Sequence, residues 1–218
     1  MPLKPVNWSV VIVGRWNPAI LTPAGIAQHV FGVKVDPARP VEVLVPIDGL
    51  SPYVVKHPEH DVTARLDERR LRIEAQKPDY ATLGEAMSAG RRVLETLPVT
   101  PFTAAGINVH FRTDGDMRRI IEIVSADIDG SLSDLGYTIK MRSVVRTLAW
   151  REGLINLSIT GGEKGFEASF NFHKETRDGP KLVQWLEVPV AEVRSCVEKV
   201  LNGLGLEIEE ACDGNGDE

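Results

Sequence analysis

Residues 8–14, WSVVIVG, are apolar and β-branched almost throughout, the composition of a buried strand, and Asn17-Pro18 ends it. Thr22 stands as a cap before Pro23, with Ile26, Val30 and Phe31 on one helical stripe and Gly32 as the stop. Over 41–47, Val41, Val43, Val45 and Ile47 alternate with Glu42, Leu44 and Pro46, which predicts an edge strand; 53–56 predicts another, shorter one. Val62, Ala64 and Leu66, then Leu71, Ile73 and Ala75, predict a hairpin across the charged turn at 67–69. Asp79 opens a long helix whose stripe is Tyr80, Leu83, Met87, Gly90, Leu94 and Leu97, and Pro98 closes it.

The pattern then restarts. Ile107, Val109 and Phe111 alternate with Asn108, His110 and Arg112, a strand with one dry and one polar face. Asp114-Gly115-Asp116 turns into a short helix over 117–124, with Met117, Ile120, Ile121 and Val124 inward. Tyr137, Ile139 and Met141 begin a long strand towards Trp150, with Thr138, Lys140 and Arg142 on its polar side. Ile155, Leu157 and Ile159 share a face, 161–165 is a Gly-rich hairpin loop, and Phe166, Ala168, Phe170 and Phe172 return on the dry side. A polar connection over 174–187 leads to Pro189 and a last helix with Val190, Val193, Val197, Val200, Leu201 and Leu204 as its stripe.

The two halves share an order of strand, helix, meander and helix. An offset of about 97 carries Ile12 onto Val109, 41–47 onto 138–144, and 70–76 onto 167–173, without repeating residue identities. This predicts an α+β fold: two similar units, 1–100 and 101–204, forming one extended antiparallel sheet with helices on one face, followed by a tail over 205–218. The element order across 8–204 resembles, at fold level, the tandem β-α-β-β-β-β-α repeat of the TATA-box-binding-protein type. That resemblance implies a joined, saddle-shaped sheet and rests on no shared motif.

Charge sharpens the picture of the tail. The 218 residues carry a formal charge of −6 at pH 7, and 205–218 alone holds six acidic and no basic residues, so the rest of the chain is neutral. With Gly214 and Gly216 and no periodicity, the segment reads as a flexible acidic tail able to mask basic groups on the body. Cys196 and Cys212 are too few for a disulfide framework, and no apolar run approaches a membrane span, so the expectation is a cytoplasmic protein with no membrane association.

The polar strand faces are the first candidate for chemistry. They carry Arg65, Arg70, Arg72, Asn108, His110, Arg112, Lys140, Arg142 and His173, with Thr63, Glu74, Thr138, Asn156, Ser158, Glu167 and Asn171 beside them. Arginine and amide groups suit hydrogen bonding to carboxylates, phosphates or main-chain amides. No aromatic is interleaved to stack nucleic-acid bases, so nucleic acid is not favoured as a partner. Asp127-Ile128-Asp129-Gly130 is similar to the first motif of haloacid-dehalogenase-type phosphatases, a nucleophile and a general acid beside magnesium, and needs an apolar strand leading into it. His57-Pro58-Glu59-His60-Asp61 crowds potential metal ligands into one turn without a second cluster to complete a site. Neither cysteine has a neighbouring base to activate it.

These features favour a non-enzymatic binding or assembly module that uses a polar sheet face or a sheet edge, with a protein or a second copy of the chain in a homodimer as partner. No cofactor or metal signature accompanies it. The alternatives are a magnesium-dependent phosphatase-like hydrolase using Asp127 and Asp129, and a polyanion or nucleic-acid binder using the arginine-bearing face.

Overall fold

The computed structural model describes residues 2–34, 41–48, 52–67, 69–114, 118–162 and 165–209. Strands β1 (Lys4–Gly14), β2 (Val43–Leu44), β3 (Val54–Lys56), β4 (Val62–Leu66), β5 (Arg70–Ala75), β6 (Phe102–Thr113), β7 (Met141–Trp150), β8 (Gly153–Gly162) and β9 (Gly165–Glu175) form one sheet. Their order is β2-β3-β4-β5-β1-β6-β9-β8-β7, with every neighbouring pair antiparallel. The protein is therefore α+β with a single antiparallel sheet. Outward from the β1–β6 pair, β5, β4 and β3 on one side correspond to β9, β8 and β7 on the other.

The helices are α1 (Pro23–Ile26), continued by a π-helical segment over Ala27–Phe31, then α2 (Tyr80–Thr96), α3 (Arg118–Val124), α4 (Ile128–Asp134), α5 (Gly179–Leu186) and α6 (Val190–Gly203). Helix α2 lies against β1, β4 and β5, α5 against β6, α3 against β7 and β8, and α6 against α2. Period-two alternation does the sorting. Trp8, Val10 and Ile12 of β1, Ile107, Val109 and Phe111 of β6, and Phe166, Phe170 and Phe172 of β9 are buried towards the helices. The caps follow the sequence signals: Thr22 accepts from the Gly25 amide and Asp79 from the Thr82 amide at 2.7 Å. At Gly90 a Cβ would stand 3.0 Å from both Val10 and Leu186, so a hydrogen there lets α2 settle between β1 and α5.

Several expectations are corrected. Only Val43 and Leu44 of the 41–47 stretch form strand, with Val45 and Ile47 exposed, because Pro46 removes a ladder donor at the sheet's outer edge. That stretch is not the counterpart of 138–144: β7 takes the place of β3, and residues 137–140 lie outside any strand. The faces of β7 are also reversed. Arg142 is opposite Gly161 on the helix-covered side, and Met141 is 68 % exposed on the other. Val144, Leu148 and Trp150 share the inward side and pack against the core, and α4 supplies the carboxylate that meets Arg142 there. Ile121 of α3 is exposed where an inward position was expected, while Met117 lies outside the described residues.

The polar connection over 174–187 contains α5, which starts at Gly179-Pro180 and buries Leu182, Trp185 and Leu186. The segment expected as a flexible tail begins packed. Leu206 is buried, the Leu3 amide donates to the Glu207 carbonyl, and the Glu209 amide donates to the Leu3 carbonyl in a parallel bridge. Residues 210–218, with Cys212, lie outside the described residues.

Val109 tests the facing of the sheet. Val109→Asp puts a carboxylate into a fully buried site and is expected to cost at least ~4 kcal/mol in urea unfolding. Asn108→Asp, on the opposite side of the same strand, is expected to cost only about 1 kcal/mol. The reverse order would mean the faces are exchanged.

Candidate binding site on the open sheet face

The face opposite the helices carries a cross-strand row set by register. Glu74, Ser9, Asn108, Asn171, Asn156 and Thr147 stand opposite one another in turn across β5, β1, β6, β9, β8 and β7. Most of the row is hydrogen bonded from member to member. Asn108 Nδ2 reaches Ser9 Oγ at 3.4 Å, Asn171 Nδ2 donates to Asn108 Oδ1 at 2.8 Å, Asn156 Nδ2 to Asn171 Oδ1 at 3.2 Å, and Thr147 Oγ1 to Asn156 Oδ1 at 3.0 Å. A ladder of this kind satisfies half-buried amides and fixes their rotamers, giving the face a rigid polar spine.

Beside the spine the next row is short at its centre, between Arg72 of β5 and His173 of β9. Val11 stands opposite Gly106 and Val13 opposite Ala104, so β1 and β6 have short side chains where other strands have long ones. Gly106 has no room to spare, since a Cβ would lie 3.0 Å from Asn171 Nδ2. The result is a concavity of about 440 Å³ with Val11, Val13, Ala104 and Gly106 as its floor. Arg70, Arg72 and Asp67 wall it on the β5 side, His173 and Asn171 on the β9 side, and Asn108 and His110 are also at its border.

The wall is basic, with Glu74 beside it. Arg72 Nε lies 3.3 Å from Glu74 Oε1, and Arg65 Nη2 reaches the same oxygen at 3.6 Å. Neither Nε–H finds a hydrogen-bond acceptor among the described residues. Burial lowers the His110 pKa below the ordinary histidine value; the Arg72 charge pushes the same way and Glu167 opposes it. At neutral pH His110 is an uncharged imidazole, and the fixed positive charge comes from Arg70 and Arg72.

The structure brings five of the expected residues together here: Arg70, Arg72, Asn108, His110 and His173. Arg65 stands one strand further out, behind Glu74. Arg112 lies further along β6 and pairs with Asp114 at 3.6 Å. Lys140 precedes β7 and lies off the sheet. Arg142 is on the other face, its Nε 2.6 Å from Asp129 Oδ2. The floor residues were missed, although the small run Ala104-Ala105-Gly106 inside an otherwise alternating strand signals them.

The other candidates resolve into structural roles. Asp127 precedes α4, and Asp129, in its first turn, is held by Arg142. The element before them is helix α3 and the sheet is antiparallel throughout, so the strand delivery that the dehalogenase-type motif requires is not what this fold provides. His57 is buried against Phe31, and its Nδ1 accepts from the Glu59 and His60 amides, which fixes the turn. No group of three or more His, Cys, Asp or Glu that could hold a metal is gathered among the described residues. Burial pushes the Cys196 thiol up, away from the thiolate a nucleophile needs. No helix among the described residues is long and apolar enough to cross a membrane.

Two histidines set a pH dependence. His57, like His110, is lowered first by burial, then by His60. A histidine lowered on folding binds its proton more weakly in the native state, so stability is full above the unfolded value of about 6.5 and falls as pH drops from there towards the folded pKa. His110→Gln is expected to flatten its share of that slope. In an NMR titration, Arg72→Gln is expected to move the His110 midpoint upward; an unmoved midpoint would contradict the Arg72 contact.

No family model matches the chain, and no curated protein matches it. Among solved structures, a chain described as Methanococcus jannaschii TBP is similar at 10 % identity and a TM-score of 0.32, covering 94 % of this chain and 99 % of that one. A likeness at that score carries no argument about the site; the fold assignment rests on the strand order and register above.

Proposed function

We propose that the protein is a non-catalytic binding module whose open sheet face takes a carboxylate-bearing segment of a protein partner into the concavity between Arg70, Arg72, His110 and His173. One observation carries this reading: the short floor of Val11, Val13, Ala104 and Gly106 lies beside two arginines on one wall, in a sheet whose neighbouring row is filled by a rigid amide ladder. The guanidinium groups of Arg70 and Arg72 on one wall favour a planar anion that can use two donors at once. The small floor admits main chain as well as side chain. Among the described residues no Phe, Tyr or Trp lines the concavity, which favours an acidic polypeptide over stacked bases.

A glutamate-rich peptide is the probe. Its addition is expected to shift the NMR signals of Gly106, His110 and His173 saturably. Arg72→Gln is expected to weaken binding about 10- to 100-fold, the worth of one charged hydrogen bond of about 1.5–3 kcal/mol. Shifts confined to the helical side, or binding indifferent to Arg72, would contradict the proposal.

A second reading concerns assembly. Among the described residues the outer strand β7 has β8 on one side only and leaves Met141 and Val145 more than half exposed, which favours pairing with a second copy through this edge. Sedimentation at micromolar concentration is expected to give twice the 24.0 kDa chain mass, and Val145→Lys to return it to one. A single-chain mass for the parent would remove this reading.

A further inference from the structure

The hairpin that joins β7 to β8 fixes which main-chain groups of β7 face the outer edge of the sheet. Only Arg151 and Glu152 separate Trp150 from Gly153, which stand opposite each other, so these two residues exchange both of their main-chain hydrogen bonds. Alternation carries that outcome back along the strand. Leu148, Arg146, Val144 and Arg142 bond to β8, whereas the N–H and C=O groups of Met141, Ser143, Val145, Thr147 and Ala149 point away from it. Arg146 Nη1, which donates to the Val145 carbonyl at 2.8 Å, agrees with that direction. Among the described residues these five make no main-chain hydrogen bond to another element.

Along Met141–Trp150 the usual means of closing an edge are missing. Pairing with β8 runs unbroken from Met141 to Trp150 with no bulge, and the strand contains no proline, glycine or lysine. The other outer strand, β2, is only two residues long with Pro46 close behind it. The outward-bonding residues of β7 also carry their side chains on the open face of the sheet, where Met141 is 68 % and Val145 58 % exposed. Leu154 of β8, opposite Ala149, is 42 % exposed on the same face. A regular edge thus lies beside an uncovered apolar strip.

We propose that a second copy of the chain pairs antiparallel with β7 about a two-fold axis at Val145, an inference that rests on the assembly reading above and gives it a register. An axis there sets Val145 against its own copy, Ser143 against the partner's Thr147 and Met141 against the partner's Ala149, so every outward main-chain group finds a bond. Moving the axis by one residue leaves Met141 or Ala149 facing position 151 or 139, outside the strand, and at Arg146 it sets two arginines directly opposite each other. The Val145 register also brings Met141 beside the partner's Ala149 and Leu154, so the apolar side chains exposed on this part of the face cover one another. The cost falls on the helix-covered side, where Arg146 gives up the Val145 carbonyl and stands diagonal to the partner's Arg146.

Sedimentation of the full chain reads the assembly, and two further measurements read the register. From dilute to concentrated protein, amide hydrogen exchange at Ser143, Val145 and Thr147 is expected to slow at least about tenfold, and that at Val144 and Leu148, already bonded to β8, to change less. In a Cys196→Ser, Cys212→Ser background, Val145→Cys faces its copy across about 5.5 Å and is expected to form an interchain disulfide under mild oxidation. Ser143→Cys or Thr147→Cys alone leaves the two thiol-bearing positions about 14 Å apart and is expected to cross-link at least about tenfold more slowly, whereas the two substitutions together restore the rate. Arg146→Gln is expected to tighten the dimer about two- to fivefold, and higher salt to act in the same direction on the parent. A single-chain mass overturns both the assembly reading and this register. Slowed outward amides with no preference for Val145→Cys keep the edge and overturn the register. A dimer whose outward amides exchange as fast as those of the single chain puts the contact elsewhere and overturns both.

Discussion

Val10 opposite Ile107, Val11 opposite Gly106 and Ile12 opposite Ala105 lock β1 to β6, and the two halves of the sheet are joined through this one pairing. A slip of one residue would turn Trp8, Val10 and Ile12 out to solvent and bring Ser9, Val11 and Val13 under the helices. The register is therefore enforced by the core, where Val10, Ile12, Ile107 and Val109 are fully buried. The same register decides the open face, because the short side chains Val11, Val13, Ala104 and Gly106 meet at the seam itself. Burial on one side thus fixes where a ligand can approach on the other.

The open face divides its polar groups between two tasks. Asn108, Asn171 and Asn156 spend hydrogen bonds on one another and on Ser9 and Thr147, so they hold geometry more than they offer it. Arg72 shares Glu74 with Arg65 in a half-buried position, where charged groups interact more strongly than in water. Burial, and then the Arg72 charge, disfavour a further positive charge on His110. A hydrogen-bonded amide ladder beside two arginines suits recognition of one anionic group in one orientation.

Much of this was legible in the sequence wherever period and chemistry agreed. Alternation through 107–112 and 166–172 separated the faces correctly, and five of the nine proposed binding residues meet at the concavity. Arg142 was misplaced because the strand was phased on Tyr137, Ile139 and Met141, whereas Val144, Leu148 and Trp150 set its buried side and Asp129 of α4 meets the arginine there. Helix α5 was hidden because Asp178-Gly179-Pro180 reads as a turn, although Leu182, Trp185 and Leu186 already have helical spacing. The floor of the site consists of what is missing from side chains, and a residue-type search for donors passes over Gly106 and Ala104. The packed start of the acidic segment depends on a bridge between Leu3 and Ile208, more than 200 residues apart, which no local pattern contains.

The claim that the concavity at the β1–β6 seam is the working surface is tested most directly by filling it while leaving every charged group in place. Gly106→Val adds two methyl groups beyond a Cβ that already stands 3.0 Å from Asn171 Nδ2, on the floor between Arg72 and His173. Binding of the glutamate-rich peptide to this variant, with urea unfolding as the check on its fold, is the decisive measurement. The account expects a folded protein whose peptide affinity falls by at least about tenfold, the loss of a single well-placed charged contact. A folded variant that binds the peptide as tightly as the parent would show that the anion is held elsewhere.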